Sequence, residues 1–553
     1  MPHKSKDNDH RSVNSDKINR QLAGIVSENR KLIEKQLEHI KRLTQIGTAL
    51  SAEKKLDRLL EMIVDEARKF TNATGGTLYI MSDDETELKF DIVQNDILGK
   101  HMGGTGDEIT WPPVKLKNDD GSPNHSNVSA YVAITGEAVN IADVYNAEGF
   151  NFEGTKEFDQ KTGYRSKSML VLPMRNHEDD IIGVLQLLNA TDPSSGEIID
   201  FSYEYQEMTL SLASQAAVAL SNYRLIHDLE NLLESFIRTI AMAIDEKSPY
   251  TGGHVRRVAE LTMTIAKKIN EEQEGPFANV RFSDDELQEL RMAAWLHDVG
   301  KITTPEYVVD KATKLQTVHD RITDVKTRME LLKRDYLLMR KPTKKDKKYS
   351  GLMSEEAAEQ AIKALDEEYQ FLTKVNRGNE FTTDKMIDRI KEIAVRKWNA
   401  DGKTYPLLTD EEITNLSIRY GTLNEMERDI INNHVLSTYK MLSQLPFPKK
   451  MPHVAVYAAA HHEKIDGRGY PLGLKGNELS LQSRIIAIAD IFEALTAKDR
   501  PYKKGKNINE ALIIMEFMVK DNDIDKDLYD LFIKEKIYED YARRELAPQQ
   551  IDI

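Results

Sequence analysis

The period of the apolar residues changes twice along this chain, and that change limits the folds open to it. The runs GGTLYIM (75–81), ELKFDIV (87–93), SMLVLPM (168–174) and DIIGVLQLLN (180–189) are short, aliphatic and separated by turn residues. Such runs read as strands. On both sides of them the pattern is helical. Ile25, Leu32, Leu37, Ile40, Leu43 and Ile46 recur before the strands, and Leu225, Leu229, Leu232, Phe236 and Ile240 after them, at the spacing that lines one helix face. Strands confined to one segment and enclosed by helices predict an α+β domain with an antiparallel sheet and flanking helices. The helical pattern beyond it predicts an all-α domain. A chain of 553 residues exceeds a single core and has room for about two to four domains.

The boundaries follow from the same pattern. Residues 1–40 read as a disordered lead-in and an N-terminal helix, 41–223 as the α+β domain and 224–245 as a linker helix. Residues 236–553 read as the all-α domain, and 312–421 as a helical hairpin inserted into it. Within that insertion, Val318, Ile322, Val325, Met329, Leu332 and Tyr336 form one heptad stripe, and Ala358, Ile362, Leu365, Tyr369 and Leu372 form another. Between them the basic loop KPTKKDKKYSG reads as a solvated tip, or as a dock for an acidic partner or a membrane surface. The linker stripe suits a partner helix, so a homodimer through the helices of the α+β domain and the linker is expected. It serves equally to carry a rotation between domains or as a passive stalk.

Composition excludes several function classes. The chain has no cysteine, which removes disulfides, thiolate metal sites and a cysteine nucleophile and fits a reducing cytoplasm. No apolar run approaches the roughly 18 residues that span a bilayer, and the first residues, MPHKSKDNDHRSVNSDK, lack the apolar core of a signal peptide. A cytoplasmic protein without a membrane span is expected. The formal net charge of −15 argues against coating a nucleic acid, which needs many Lys and Arg. A small phosphate substrate remains open, provided local cations or metals overcome the field.

The chemistry-bearing residues lie in the all-α region. His254 stands near a helix start in GGHVRRVAEL, and His297 and Asp298 end the apolar helix AAWLHDVGKI, with Lys301 just beyond. His434 lies in INNHVLSTYKML, and His461 and His462 open HHEKIDGRGYP. Asp490 is embedded in IIAIADIFEAL, where an unpaired carboxylate is costly to bury. A metal is a natural partner for it. Imidazole and carboxylate ligands suit Fe, Mn, Zn, Co or Ni. These seven side chains exceed one octahedron and suit two divalent metals that share a bridging carboxylate. Such a pair can bind a phosphate and activate water at neutral pH.

Two resemblances rest on these residues. Residues 41–223 resemble a GAF domain, most clearly in IADVYNAEGFNFEGTKEFDQKTGYRSKSMLVLPM (141–174), similar to the pocket side of GAF modules in cyclic-nucleotide phosphodiesterases and adenylyl cyclases. The family implies an unknown small ligand. Where nucleotide-binding members carry Asn-Lys and then Phe-Asp-Glu, this chain has Asn189-Ala190 and no such group. A ligand-free dimerisation module is the other reading. Residues 236–311 and 422–553 resemble the HD-GYP family of metal-dependent phosphohydrolases. His254, the pair His297-Asp298, Lys301, His434, HHEKIDGRGYP, Asp490 and Arg500-Pro501-Tyr502-Lys503 all match its motifs.

That resemblance implies a phosphodiesterase hydrolysing cyclic di-GMP to the linear dinucleotide and/or GMP by attack of a metal-bridging hydroxide. It implies that His254, His297, Asp298, His434, His461, His462 and Asp490 hold two metals, Fe or Mn foremost, with Asp298 bridging. Lys301 then acts in catalysis and on the substrate, while Arg500 and Lys503 bind the substrate. Asp466, Gly467, Gly469, Tyr470 and Pro471 form a loop that in the family docks GGDEF-domain proteins. Two alternatives stay open: hydrolysis of another cyclic dinucleotide such as cyclic GMP-AMP, or a catalytically weak protein that binds nucleotide or a GGDEF partner. Tyr250 stands where some members carry a third-metal Glu, which favours two metals, and 312–421 is an unusually long insertion, open as a lid, a dimer arm or a dock.

Overall fold

The computed structural model describes residues 7–246, 253–340, 353–497 and 505–552. It divides into two compact units, Met1–Asn231 and Leu232–Ile553. Tyr250, Arg500, Lys503 and the basic loop at 341–351 therefore lie wholly or almost wholly outside the described residues.

In the first unit, helix α1 (Asp7–Ala52) begins inside the segment expected as a lead-in, and α2 (Leu56–Thr71) follows. Leu59, Leu60, Ile63, Val64 and Ala67 of α2 are buried, the spacing of one helix face. The helix ends at Asn72, whose left-handed φ of 51° turns the chain into the sheet. The sheet comprises β1 (Ala73–Met81), β2 (Glu87–Asn95), β3 (Lys100–Gly103), β4 (Val114–Lys115), β5 (Val139–Ile141), β6 (Met169–Arg175), β7 (Ile181–Thr191) and β8 (Ile198–Ile199). Its order is β3-β2-β1-β7-β6-β5, with β4 on β2 and β8 on β7, and every pairing is antiparallel. The four strand-like runs of the sequence lie in it, and the α+β expectation holds.

Alternation assigns the two faces. Leu78, Ile80, Leu170, Leu172, Leu185 and Leu187 pack with α2 and with α5 (Tyr203–Asp245). Tyr79, Val171 and Val184 face the other way, against α3 (Val128–Thr135). Helix α4 (Glu153–Thr162) leads into a loop tied down by Asn189. The Asn189 side chain accepts from Lys167 N at 2.7 Å and donates to Arg165 O at 2.7 Å and Tyr164 Oη at 2.9 Å.

The second unit packs α6 (His254–Glu271), α7 (Asp284–Leu296), α14 (His434–Leu442), α15 (Val454–Ala459), α16 (Leu481–Thr496), α17 (Ile508–Lys520), α18 (Lys526–Lys534) and α19 (Ile537–Glu545). Val258, Ile265, Leu290, Ile485, Ile488 and Phe492 lie at its core. The short helix α8 (Glu306–Val309) and α13 (Glu425–Asn432) flank the inserted segment. That segment holds α9 (Ile322–Arg340) and α10 (Glu355–Asn376), where the two stripes were read, but also α11 (Asp384–Ala394), a hairpin of β9 (Lys397–Ala400) and β10 (Lys403–Pro406), and α12 (Asp410–Leu416). Val325, Met329, Leu332, Leu365 and Leu372 share a core with Ile390, Leu407 and Leu416. Val318 precedes α9 and is 97% exposed, so the first stripe starts one turn later than the spacing suggested.

One lysine holds that inserted core. Lys314 is completely buried, and its Nζ donates to Thr382 Oγ1 at 2.8 Å, Leu416 O at 3.2 Å and Ile418 O at 2.6 Å. Three neutral acceptors suit the three ammonium protons, yet burial pulls its pKa from 10.5 down to about 8. Below that value folded and unfolded chains are both protonated, and the buried charge weighs against folding. Between about 8 and 10.5 the folded form has released a proton that the unfolded form keeps, so stability rises with pH. Denaturant melts followed by the fluorescence of Trp398 are expected to show a gain of about 1–2 kcal/mol from pH 7.5 to 9.5, absent in Lys314→Met.

Candidate metal centre

The helix ends of the second unit converge on one point. His254 is the first residue of α6, entered through Gly253 at φ 83°. His297 follows the last turn of α7, and Asp298 leads into a 3-10 turn, Val299–Thr303, that carries Lys301. His434 is the first residue of α14. His461 and His462 come just after α15, and Asp490 projects from α16. Helix termini leave backbone carbonyls without partners inside the helix, and three of these histidines use them. Nδ1 of His297, His434 and His461 lies 2.8, 2.5 and 2.6 Å from the carbonyl three residues earlier, Ala294, Ile431 and Ala458. A carbonyl only accepts, so each Nδ1 carries the proton and each Nε2 keeps its lone pair.

Those lone pairs face a single carboxylate. Asp298 Oδ2 lies 3.5 Å from His254 Nε2 and 3.4 Å from His297 Nε2. Its Oδ1 lies 3.2 Å from His434 Nε2 and 3.8 Å from His461 Nε2. Asp490 Oδ1 joins the first side, 3.3 Å from His254 Nε2 and 4.0 Å from His297 Nε2. Two groups result, His254–His297–Asp298 and His434–His461–His462, each with ligand atoms within 4.8 Å of one another. First-row divalent ions with bonds of about 2.1 Å hold their donors up to about 4.2 Å apart, so either group closes on an ion with small adjustments.

The chemistry of the donor set fits a metal. Nε2 of His297, His434 and His461 and Oδ1 of Asp298 are buried without a hydrogen-bond partner, a cost that a cation removes. Burial, with repulsion from neighbouring imidazoles, keeps His461 neutral, well below the usual histidine range. Burial likewise pushes His462 down to about 4. Burial opposes ionisation of Asp298 too, but the Lys301 ammonium and the His297 and His254 rings outweigh it and hold the carboxyl well below its usual value. At neutral pH His461 and His462 therefore present bare imidazole nitrogens beside ionised carboxylates. Around His254 and His297 burial favours the neutral ring, but the neighbouring carboxylates outweigh it and raise both, so a cation there binds by displacing protons. The two clusters are able to hold divalent metal.

The structure adds residues that the sequence reading left aside. Glu493, one helical turn after Asp490 on α16, is buried and sits 2.5 Å from His254 Nδ1, while Arg257 Nε donates to it at 2.7 Å. It fixes the His254 ring and raises its basicity. A second acid one turn on in IIAIADIFEAL was the signal for it. Replacing Glu493 by Gln is expected to weaken metal affinity about 10–100-fold with folding retained, as read by titration of the apoprotein with Mn.

The HHEKIDGRGYP loop divides its labour. Glu463 is buried and accepts from Leu472 N at 2.6 Å, Gly473 N at 3.2 Å and Leu474 N at 2.9 Å, so it folds the loop. Asp466 holds Arg468, accepting from its backbone N at 2.8 Å and pairing with its guanidinium. Gly467 has φ 84°, a left-handed state that glycine adopts freely. Gly469 does not share that backbone state. It is required instead because a Cβ there would stand 2.3 Å from Lys464 N. The Tyr470 ring lies 4.9 Å from that of His462, and a cis bond joins Tyr470 to Pro471. Lys301 Nζ is 2.5 Å from Asp298 Oδ2 and partly exposed at the mouth of the site. Arg500 and Lys503 lie outside the described residues.

Comparisons with known proteins agree with this picture. A GAF-domain model matches residues 55–220, and two HD-domain models match 251–369 and 409–528. The 3'3'-cGAMP-specific phosphodiesterase 1 of Vibrio cholerae serotype O1 is 40% identical over 128 residues, 23% of this chain and 28% of that protein. The 3'3'-cGAMP-specific phosphodiesterase 3 of the same organism is 28% identical over 284 residues, 51% of this chain and 35% of that protein. The cyclic di-GMP phosphodiesterase response regulator RpfG of Xanthomonas campestris is 38% identical over 95 residues, 17% of this chain and 25% of that protein. The matches thus span about a third or less of each relative's length. Among solved structures, the GAF domain of an Acinetobacter phosphoenolpyruvate-protein phosphotransferase is matched over 34% of this chain and 98% of its own, at 14% identity and a TM-score of 0.26. No helix among the described residues is long and apolar enough to cross a membrane. The chain thus carries a match to a GAF domain followed by matches to a helical HD domain.

Proposed function

We propose that the HD domain is a metal-dependent phosphodiesterase that opens a cyclic dinucleotide, cyclic di-GMP foremost, and that the GAF domain regulates it. The observation that carries this reading is the divided carboxylate of Asp298, with Oδ2 turned to His254 and His297 and Oδ1 to His434 and His461. In it, His254, His297, Asp298 and Asp490 hold one divalent ion and Asp298, His434, His461 and His462 the other, with Fe or Mn as the occupants. Bound there, such ions supply acidified water as the nucleophile and positive charge for the phosphate. The chain's own groups orient the rest. The Nδ1 bonds of the histidines keep their rings in place, and Asp298 stays ionised. Lys301 Nζ at the mouth offers a charge-assisted hydrogen bond to a non-bridging phosphate oxygen or to the departing oxygen. Arg500 and Lys503 are assigned to the remaining phosphate on motif resemblance.

A second reading changes the substrate to cyclic GMP-AMP. It is favoured by the names of the two Vibrio relatives, which act on 3'3'-cGAMP. A homodimer fits the linker stripe, since Leu225, Leu229, Leu232 and Phe236 are 57%, 66%, 66% and 62% exposed on α5. The loop 466–471, with Leu472 72% exposed beside it, is assigned to a GGDEF-domain partner, and the site of action to the cytoplasm.

The deciding experiment incubates anaerobically purified, Fe- or Mn-loaded protein with cyclic di-GMP and with cyclic GMP-AMP. Products are followed by chromatography and metals counted per chain. Cleavage with about two metals per chain supports the reading, and the faster substrate names the messenger. A filled centre that retains both nucleotides uncleaved sinks it in favour of a binding protein.

A further inference from the structure

The GAF sheet covers its α2–α5 face with helices, but its other face leaves a cavity of about 250 Å³. The cavity runs over β1, β2 and β7 and is roofed by Trp111 and α4. Register puts the side chains of Thr77, Val93 and Gln186 on this face, because Thr77 pairs with Val93 on one side and with Gln186 on the other. Five aromatic residues line it, Tyr164 among them, and the rings of the other four meet in sequence. Tyr79 and Phe90 have centroids 4.7 Å apart, Phe90 and Trp111 meet edge-on at 5.3 Å, and Trp111 and Phe158 meet edge-on at 6.1 Å. Such walls select flat, apolar bodies.

The charge of the cavity lining has one sign, among neutral polar groups such as Gln94, Asn95 and Ser166. Lys100 is the single charged residue of its lining. Its Nζ lies 5.7 Å from the Trp111 centroid and 5.1 Å from that of Phe158, and among the described residues it has no carboxylate partner. The nearby Asp159 does not neutralise it. That carboxylate is buried and taken up by Ser166 N at 2.8 Å, Ser166 Oγ at 2.9 Å and Tyr145 Oη at 3.2 Å. Gln186 has its amide oxygen engaged by Tyr79 Oη at 3.4 Å and Ser129 Oγ at 3.2 Å, which leaves its Nε2 protons to give. A cation held against two rings, a spare amide donor and no lining acid, in a chain of net charge −15, complement a ligand that is flat and anionic.

We infer that the GAF cavity binds a small aromatic carboxylate of about one or two rings, its ring among Phe90, Trp111 and Phe158 and its charge on Lys100. This rests on the reading of the domain as a ligand-holding sensor and gives that sensor its ligand class. The size of the cavity and its single cation distinguish such a ligand from the larger, doubly charged cyclic dinucleotide of the HD domain.

The test is calorimetric binding to the full chain, with benzoate and naphthalene-2-carboxylate as probes beside their neutral carboxamides, and with cyclic GMP and cyclic AMP for comparison. Lys100→Met removes the charge and keeps the length of the side chain. The carboxylates are expected to bind at least about tenfold tighter than the carboxamides, and Lys100→Met to erase that difference. The inference is overturned if no carboxylate binds, if the carboxamides bind as well, if Lys100→Met leaves the preference intact, or if cyclic nucleotides bind where carboxylates do not. Binding is read without nucleotide hydrolysis. A failure here leaves the phosphodiesterase reading standing, and an inactive HD domain leaves this one standing.

Discussion

Replacing Asp298 by Ala is expected to lower turnover of the cyclic dinucleotide by at least about three orders of magnitude and to cut metal content from about two ions per chain to one or none. The reason is geometric. Among the described residues Asp298 is the side chain with an oxygen facing each cluster, so on the proposed two-ion reading each ion loses a ligand at once. The loss also takes a partner from Lys301, whose ammonium rests on Oδ2 at 2.5 Å. An Asp298→Asn variant separates bridging from mere charge. Asn keeps the shape but has one oxygen to offer and an N–H2 group on the other side, so it is expected to retain one ion and lose the other. Metal analysis of gel-filtered protein, beside a far-UV spectrum showing that helices persist, reads both outcomes. A variant with full metal and the wild-type rate would falsify the two-metal reading.

Much of this centre was legible because its ligands are bound to short-range rules. Asp490 stood out because a carboxylate inside IIAIADIFEAL needs a partner, and His297-Asp298 because a polar pair closes an apolar helix. What the sequence concealed is direction. Nothing in HHEKIDGRGYP separates His461, whose Nε2 faces Asp298 at 3.8 Å, from Glu463, which turns away to bind three backbone N–H groups. Side chains two apart on a chain leaving a helix diverge according to the turn that follows, and that turn is set by contacts with residues far along the chain. Glu493 escaped for a related reason: a second acid one turn after the first looks like an exposed helix face until α6 is packed against it.

In the fold, period was a dependable guide for long elements and a poor one for short elements. The four strand runs lie in the GAF sheet, and short aliphatic runs bounded by turn residues were the signal for them. The strands β3 and β5 have four and three residues, too few to show a period. Inside the insertion, KWNADGKTYP carried a hairpin signal that the heptad stripes overshadowed. Asp401 and Gly402 adopt φ of 50° and 72°, the backbone of a tight two-residue turn that Asp-Gly favours, and β9 pairs with β10 across it. Reading the two stripes as a pair of helices captured the apolar faces of α9 and α10 but left out what else those faces cover. Ile390, Leu407 and Leu416 complete the core from elements whose own periodicity is too short to register.

The second large effect is expected at a residue with no functional group. Gly300 lies in the turn between Asp298 and Lys301, and its φ is not in the left-handed region, so alanine meets no backbone penalty there. It meets atoms instead. A Cβ at this position would stand 1.9 Å from His434 O, 2.5 Å from Thr438 N and 2.7 Å from Thr438 Oγ1. Two of those atoms are backbone of α14 and the third belongs to a short, buried side chain, so no flexible tip is available to swing aside. The close approach is also held by hydrogen bonds. Gly300 N donates to Thr438 Oγ1 at 2.9 Å, and Thr438 Oγ1 donates to His297 O at 3.2 Å. Gly300→Ala must therefore push α14 away from the turn and break both. Because His434 is the first residue of α14, the displacement carries its Nε2 away from Asp298 Oδ1. Overpacking of this kind costs about 3 kcal/mol, and the expected result is a lower melting temperature of the second unit, with the first unit unaffected. The His434–His461–His462 cluster should lose its ion while His254, His297 and Asp490 keep theirs, leaving about one metal per chain and little turnover. Differential scanning calorimetry together with metal analysis distinguishes this from a direct catalytic role. If Gly300→Ala melts as the parent does and holds two ions, the contact between the turn and α14 does not position His434, and the division of the centre into two clusters needs another basis.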